Sequence, residues 1–240
     1  MNEFAQRSLL EPLGPTFECD ARFDAHLPNR ARERADQYWT PVAVARRAAR
    51  LFRERGVTTV LDVGCGPGKF CIVAGRTEPG LLLDGVEQRS LLVRSATRLA
   101  ARLGVTNVRF SLADAVEIAW DAYQGFYFFN PFAENVLSKR AQFDGAVELS
   151  RQRFAADLIH IEQLLATTRV GTVVVTYHGL GGPIPSCFDP VHAEQAGTDV
   201  LRVWVKRQRQ TEGWSWLDSS QDLTRATRAE IYGALATFVG

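Results

Sequence analysis

One stretch of this 240-residue chain stands out for its chemistry, Asp62-Val63-Gly64-Cys65-Gly66-Pro67-Gly68, an acid followed by glycine at three alternate positions. Thr59-Val60-Leu61 ahead of it reads as a buried strand, and Phe70-Cys71-Ile72-Val73-Ala74 behind it as a helix start. Glycine lets a backbone press against a ligand, and a helix N-terminus offers unpaired N–H groups. A dinucleotide loop would space its glycines G-x-G-x-x-G, but here Lys69 stands where the third glycine belongs. Asp62, within reach of the loop, favours a ligand that carries a cation over one that carries a pyrophosphate.

Further polar residues fall at the ends of later apolar runs. Leu81 to Val86 reads as a second strand ending at Glu87, which lies 19 residues beyond Gly68. That is close to the spacing at which a carboxylate reaches a ribose hydroxyl pair. Asp84 competes for the role, but Gly85-Val86 should continue the strand past it. Val108 to Leu112 is a third strand followed by Asp114. Gly125 to Phe129 is a fourth, rich in aromatics, and runs into Asn130-Pro131-Phe132. An amide oxygen there can accept an N–H from an amine, and a ring can stack on a planar acceptor. An Asn-Pro turn explains the same residues without a ligand. Thr172 to Tyr177 is a fifth strand, with His178 at its carboxyl end as a candidate base or substrate contact.

These strands alternate with helices. Thr40-Pro41 opens one, with Thr40 as N-cap, Pro41 in the first turn and Gly56 just past the end. Asn29 to Tyr38 reads as an arginine-rich helix, Ser90 to Leu103 as an amphipathic one, and Phe154, Leu158, Ile161 and Leu165 mark another. Beyond His178 the spacing predicts a glycine-rich loop and a short helical stretch near His192 to Ala196. A strand over 200–206 follows, with Trp214-Ser215-Trp216 returning beside it. Thr227-Arg228-Ala229-Glu230 then opens a last helix as a capping box. The alternation implies an α/β fold, a doubly wound, mostly parallel sheet of about seven strands. An N-terminal helical arm (1–40), a central domain (41–210) and a C-terminal extension (211–240) complete the plan.

The loop at 62–68 resembles motif I of the class I, Rossmann-like S-adenosylmethionine-dependent methyltransferases. The resemblance covers roughly residues 57–210 and implies S-adenosyl-L-methionine as cofactor. It places the methionine end at Asp62, Gly64, Cys65, Gly66 and Gly68, the ribose at Glu87 and the adenine amino group at Asp114. It also implies an antiparallel last strand. Tyr38-Trp39-Thr40-Pro41 is similar to a segment that contacts the cofactor in some amino-group methyltransferases, which adds Thr40. Asn130-Pro131-Phe132 resembles their (Asp/Asn)-Pro-Pro-(Tyr/Phe) acceptor motif, with one proline where that motif has two. Asn130 is therefore the candidate catalytic residue, with Pro131, Phe132 and His178 beside the acceptor.

Composition sets the outer limits. The net charge of +1 gives no global argument for nucleic acid. Nine arginines against four acids between Ala21 and Arg55 read as solvated helix faces, with a nucleic-acid contact as the weaker reading. The four cysteines form no C-x-x-C pair, so no zinc site or disulfide framework is expected. No run of 18 apolar residues and no leader pattern is present, so a cytoplasmic protein is expected. The expected activity is methyl transfer to an acceptor, an amino nitrogen ahead of a hydroxyl. The alternatives are an O-methyltransferase using His178 as base, a nicotinamide-dependent dehydrogenase, and a cofactor-binding module without catalysis.

Overall fold

The computed structural model describes residues 19–208. Its centre is a seven-stranded sheet of β1 (Thr59–Val63), β2 (Leu82–Glu87), β3 (Val108–Leu112), β4 (Gly125–Phe128), β5 (Val173–Thr176), β6 (Phe188–Ala196) and β7 (Asp199–Lys206), in the order β3-β2-β1-β4-β5-β7-β6. The first five strands run parallel, while β7 is antiparallel to β5 and β6 antiparallel to β7. Strand order reverses between β1 and β4, so a crevice opens at the carboxyl ends of those two strands.

Alternation along the strands sends side chains to two separate cores. Val60 and Tyr127 face one, built with α4 (Val42–Glu54), α5 (Lys69–Thr77) and α6 (Ser90–Arg102). Leu61, Val63, Phe126 and Phe128 face the other, covered by α7 (Arg151–Thr167) through Phe154, Ile161 and Leu165. The aromatic run of β4 is thus shared between both sides. Tyr127 stacks on Phe70 at 3.7 Å between ring centres, and Phe126 on Trp120 at 4.5 Å.

A cap of three short helices, α1 (Asp20–Asp24), α2 (Asn29–Glu33) and α3 (Ala35–Tyr38), lies over the glycine loop. Lys69 fastens it. This ammonium is only 2% exposed and sits 2.7 Å from both Asp20 and Asp24, while Phe23 beside it is fully buried. Arg30 donates to the Phe143 carbonyl, and Arg34 and Tyr38 donate to that of Ala141, at 3.1 and 2.6 Å. Arg30 and Arg34 thus hold the loop that follows β4, while Arg22, Arg32, Arg50 and Arg53 are exposed as expected of solvated helix faces.

Four expectations change. Thr40 does not cap α4: Pro41 occupies that position, and the Val42 N–H is taken by the Asp20 carboxylate at 2.9 Å. The 29–38 helix is broken at Arg34, whose φ of −111° and ψ of 11° leave the helical run. His192 to Ala196 is no helix but the end of β6, because Gly197, at φ 64°, and Thr198 make a tight turn into β7. That hairpin supplies the partner that Trp214 to Trp216 was expected to supply. Those tryptophans and the capping box at 227–230 lie outside the described residues. Gly56 does close α4 in the left-handed conformation, at φ 72°. Among the described residues no helix is long and apolar enough to cross a membrane.

Candidate active site

Every candidate residue stands on the carboxyl edge of the sheet. Asp62 ends one arm of the crevice, a residue before the close of β1, and is 3% exposed. Its one hydrogen bond among the described residues comes from the Cys71 thiol at 3.4 Å, and no basic side chain pairs with it there. Burial, aided by the nearby Glu87 carboxylate, pushes its pKa up to about 7. A buried acid with no cation beside it is costly unless a ligand provides one.

Glu87 closes β2 and is held differently. One oxygen accepts the Gly66 N–H at 3.2 Å, the other the Arg89 N–H at 2.9 Å, and the Arg89 guanidinium lies 3.8 Å away. Burial raises its pKa against these partners. Arg89 is divided among three acids, since it also meets Glu134 at 2.9 Å and Asp144 at 2.8 Å. Asp84, the competitor for the ribose position, points away to Arg109 and Tyr123.

The loop between these acids is shaped by neighbouring rings. A Cβ on Gly66 would lie 2.3 Å from the Trp39 indole, and one on Gly64 would lie 2.9 Å from Pro131. Gly64 and Cys65 both donate to the Val86 carbonyl at 3.0 Å, which pins the loop to β2, and Cys65 fills the space above Gly85. Gly68 opens α5 at φ 80°. Thr40 is buried with its hydroxyl 3.1 Å from that of Tyr127, and it shares a hollow of about 20 Å³ with Asp62, Trp39 and Cys65.

On the far side of Trp39 lies a cavity of about 350 Å³, lined by Gly64, Glu87, Arg89, Asn130, Phe143 and His178 among others. Tyr38, Trp39, Gly64 and Phe129 wall both spaces, so Asp62 and Glu87 face two adjoining hollows across the glycine loop. The larger volume is at the lower end of the range for small-molecule sites.

The acceptor-side candidates sit on unusual backbone. Asn130 and His178 have φ values of 42° and 58°, the two non-glycine residues in the left-handed region among those described. Their strands are neighbours, and the Asn130 N–H donates to the Gly179 carbonyl at 2.9 Å. Such conformations persist where surrounding structure holds them, and they concentrate at functional sites. Pro131 abuts Gly64, while Phe132, at 7% exposure, packs into the core with one edge on the cavity.

Asp114 is drawn elsewhere. One oxygen caps the turn at Val116, 3.2 Å away, and the other is taken by Arg153, which also bonds Asp157 at 2.7 Å. Asp114 does not line the cavity, whereas Arg153 does. Two contributors carried no signal at short range in the sequence: Arg89 between the acids, and Asp199, whose carboxylate lies 2.7 Å from His178 Nδ1.

Residues 54–139 match the family model of a methyltransferase domain. The matched segment, which holds the glycine loop and both buried acids, is similar to a methyltransferase domain. Over 76 residues it is 33% identical to the 23S rRNA (uracil(747)-C(5))-methyltransferase RlmC of Glaesserella parasuis, a match covering 30% of this chain. The chain spans only about a fifth of that curated relative, 20% of its length. A solved methyltransferase from Geobacter sulfurreducens superposes with a TM-score of 0.51 at 14% identity, over 84% of this chain and 95% of the other, which bears on the fold. An RNA methyltransferase from Salinibacter ruber, solved with S-adenosyl-L-homocysteine, is 21% identical over 68% of this chain and 92% of its own, with a TM-score of 0.47.

The residues of the matched segment suit S-adenosylmethionine. Asp62 lacks a cation that an amino-acid ammonium would supply, and the Glu87 oxygens retain lone pairs for a hydroxyl pair. Asp114, tied to Arg153, suits an adenine amino group less well.

Proposed function

We propose that the chain binds S-adenosylmethionine across the glycine loop and transfers its methyl group to an amino nitrogen of a small molecule. The observation that carries this is the pair of buried acids on adjoining strand ends, Asp62 without a basic partner and Glu87 anchored to the loop by Gly66. The cofactor supplies an electrophilic methyl group on sulfonium. Asp62 holds the ammonium, Glu87 the ribose hydroxyls, and the Gly64–Gly68 backbone, with Cys65, lies along the methionine portion. Thr40, in the hollow with Asp62, stands at the methionine end, and Asp114, held by Arg153 beyond β3, is the weaker candidate for the adenine end.

Catalysis then consists chiefly of bringing the acceptor lone pair in line at near-contact distance. Asn130, with its amide on the cavity, orients the acceptor by accepting an N–H, and Pro131 and Phe132 shape the wall beside it. A small acceptor is favoured by the cavity of about 350 Å³ beside the glycine loop. Cys19, Cys65, Cys71 and Cys187 form no disulfide, in keeping with a reducing setting.

Isothermal titration with S-adenosylmethionine, S-adenosylhomocysteine and NADH tests the reading. Tight binding of the two sulfur compounds and none of NADH is the expected result. Binding of NADH alone, or of none of the three, would sink it.

A further inference from the structure

His178 and Asp199 meet where no short-range pattern would have placed them. Asp199 opens β7, and the antiparallel pairing of β7 with β5 brings it back to the end of the strand that precedes His178. Its carboxylate lies 2.7 Å from Nδ1. A carboxylate this close to Nδ1 favours the tautomer with its proton on Nδ1 and its lone pair on Nε2. The ring is clamped edge-on by Phe129 at 5.3 Å and Tyr177 at 4.4 Å between centres, and its backbone is held at φ 58°. His178 and the neighbouring Thr198 line the same cavity as Asn130.

We propose that His178 takes a proton from the acceptor nitrogen, that Asp199 positions it for this, and that the acceptor is an aromatic amine. The proposal rests on the methyltransferase reading above. An alkylamine is protonated at neutral pH, with a pKa near ~10.4 as in lysine, and offers no lone pair. An arylamine is neutral there, but its lone pair is shared with the ring, so nucleophilic attack gains from loss of an N–H proton. Its two N–H groups match two groups on the page: Asn130 accepts one and His178 removes the other. Phe129, Phe132, Phe143 and Trp39 give the cavity walls suited to a planar ring.

The step balances. The acceptor nitrogen forms a bond to the methyl carbon while the carbon–sulfur bond breaks and its electron pair stays on sulfur, giving a neutral thioether. The displaced N–H proton moves to Nε2, the imidazolium is stabilised by Asp199, and the proton then leaves to water. Burial lowers the pKa of His178 and Asp199, the charged group acting on it, opposes this. The imidazole is therefore neutral at pH 7 and able to accept.

The test uses the full chain with tritiated S-adenosylmethionine and three probes, 2-naphthylamine, 2-naphthol and benzylamine, alongside calorimetry with S-adenosylhomocysteine. The expected result is methylation of the arylamine in preference to the other two. His178→Gln should lower kcat by roughly 100-fold or more, with homocysteine-ligand affinity held within about twofold. Asp199→Asn should lower kcat by about tenfold and move the acid limb of the pH profile downward, because a raising influence on the imidazole is gone. Asp199→Glu should recover part of the rate. Equal turnover in His178→Gln, or an unmoved acid limb in Asp199→Asn, overturns the proton-accepting pair. Preference for naphthol or benzylamine, or no transfer to any probe by protein that binds S-adenosylhomocysteine, overturns the acceptor class. Absence of S-adenosylhomocysteine binding brings down the underlying cofactor reading instead.

Discussion

The two halves of the crevice are built on opposite plans. On the β1–β2 side, the polar groups are acids sunk in the sheet edge and tied to the glycine loop, as Glu87 is to Gly66. The partners of Glu87 are the backbone N–H groups of Gly66 and Arg89, and that of Asp62 is a single thiol. On the β4–β5 side, Asn130 and His178 project from strained left-handed backbone, steadied by the Gly179 carbonyl and the Asp199 carboxylate. The first half is a fixed receptacle whose charge is left for a ligand to neutralise. The second is a set of directed donors and acceptors whose aim depends on tertiary pairing. A common cofactor with variable acceptors calls for such a division, since loops at strand ends can change without disturbing the receptacle.

Breaking the receptacle gives the largest expected effect. Asp62→Ala should weaken S-adenosylmethionine binding by at least about 100-fold, since it removes the buried partner of a ligand cation; calorimetry with little change would refute the assignment. The same carboxylate sets a pH dependence. Its native pKa of about 7 stands above the ordinary carboxylate value of 3.8, so stability from the neutral form is full below pH 4 and declines as pH rises toward 7. Asp62→Asn should flatten that decline in denaturation curves taken between pH 5 and 8 in the absence of ligand. Cofactor affinity should run the other way in the wild type, rising between pH 6 and 7.5 as the carboxylate ionises.

The cap that covers the receptacle is the next test. Lys69→Ala leaves Asp24 buried without its cation, and it should cost about 3 kcal/mol or more in urea unfolding. Gly66→Ala drives a methyl group into the Trp39 ring and should reduce cofactor affinity by about tenfold. Trp39→Ala should recover part of that loss, and a double-mutant cycle would expose the coupling. The smallest effect sharpens the contrast with the acceptor side. Asn130→Gly relieves the left-handed strain and should raise stability by about 0.5 kcal/mol while lowering turnover, with cofactor affinity unchanged. Full turnover in that variant would remove the orienting role of the amide.

The same division governs what could be read in the sequence. Strand ends on the cofactor side followed from apolar runs of five or six residues, and Glu87 was separated from Asp84 by where β2 had to stop. The parallel core and the antiparallel last strand also match. The errors cluster where a partner is remote. Thr40 looked like a cap because nothing nearby showed that Asp20, 22 residues earlier, reaches Val42. Asp114 stood at the right place along β3, yet Arg153, on a helix 39 residues later, holds one of its oxygens. Residues 192–196 pattern locally as a helix but form the end of a strand, because Gly197-Thr198, a glycine and a polar residue between two runs, is a hairpin turn. Asp199 left no local trace because antiparallel register, set by pairing across β5 and β7, decides which residue meets His178.

Trp39 has an optical consequence. Its indole donates to the Ala31 carbonyl at 2.8 Å, rests on Gly66 and forms part of both hollows. A molecule entering either space changes the surroundings of this indole, one of five in the chain. In a variant with the other four tryptophans replaced by phenylalanine, its emission wavelength and quenching give a label-free signal for occupancy of the glycine loop, and a stopped-flow instrument could time the arrival of cofactor without any acceptor present.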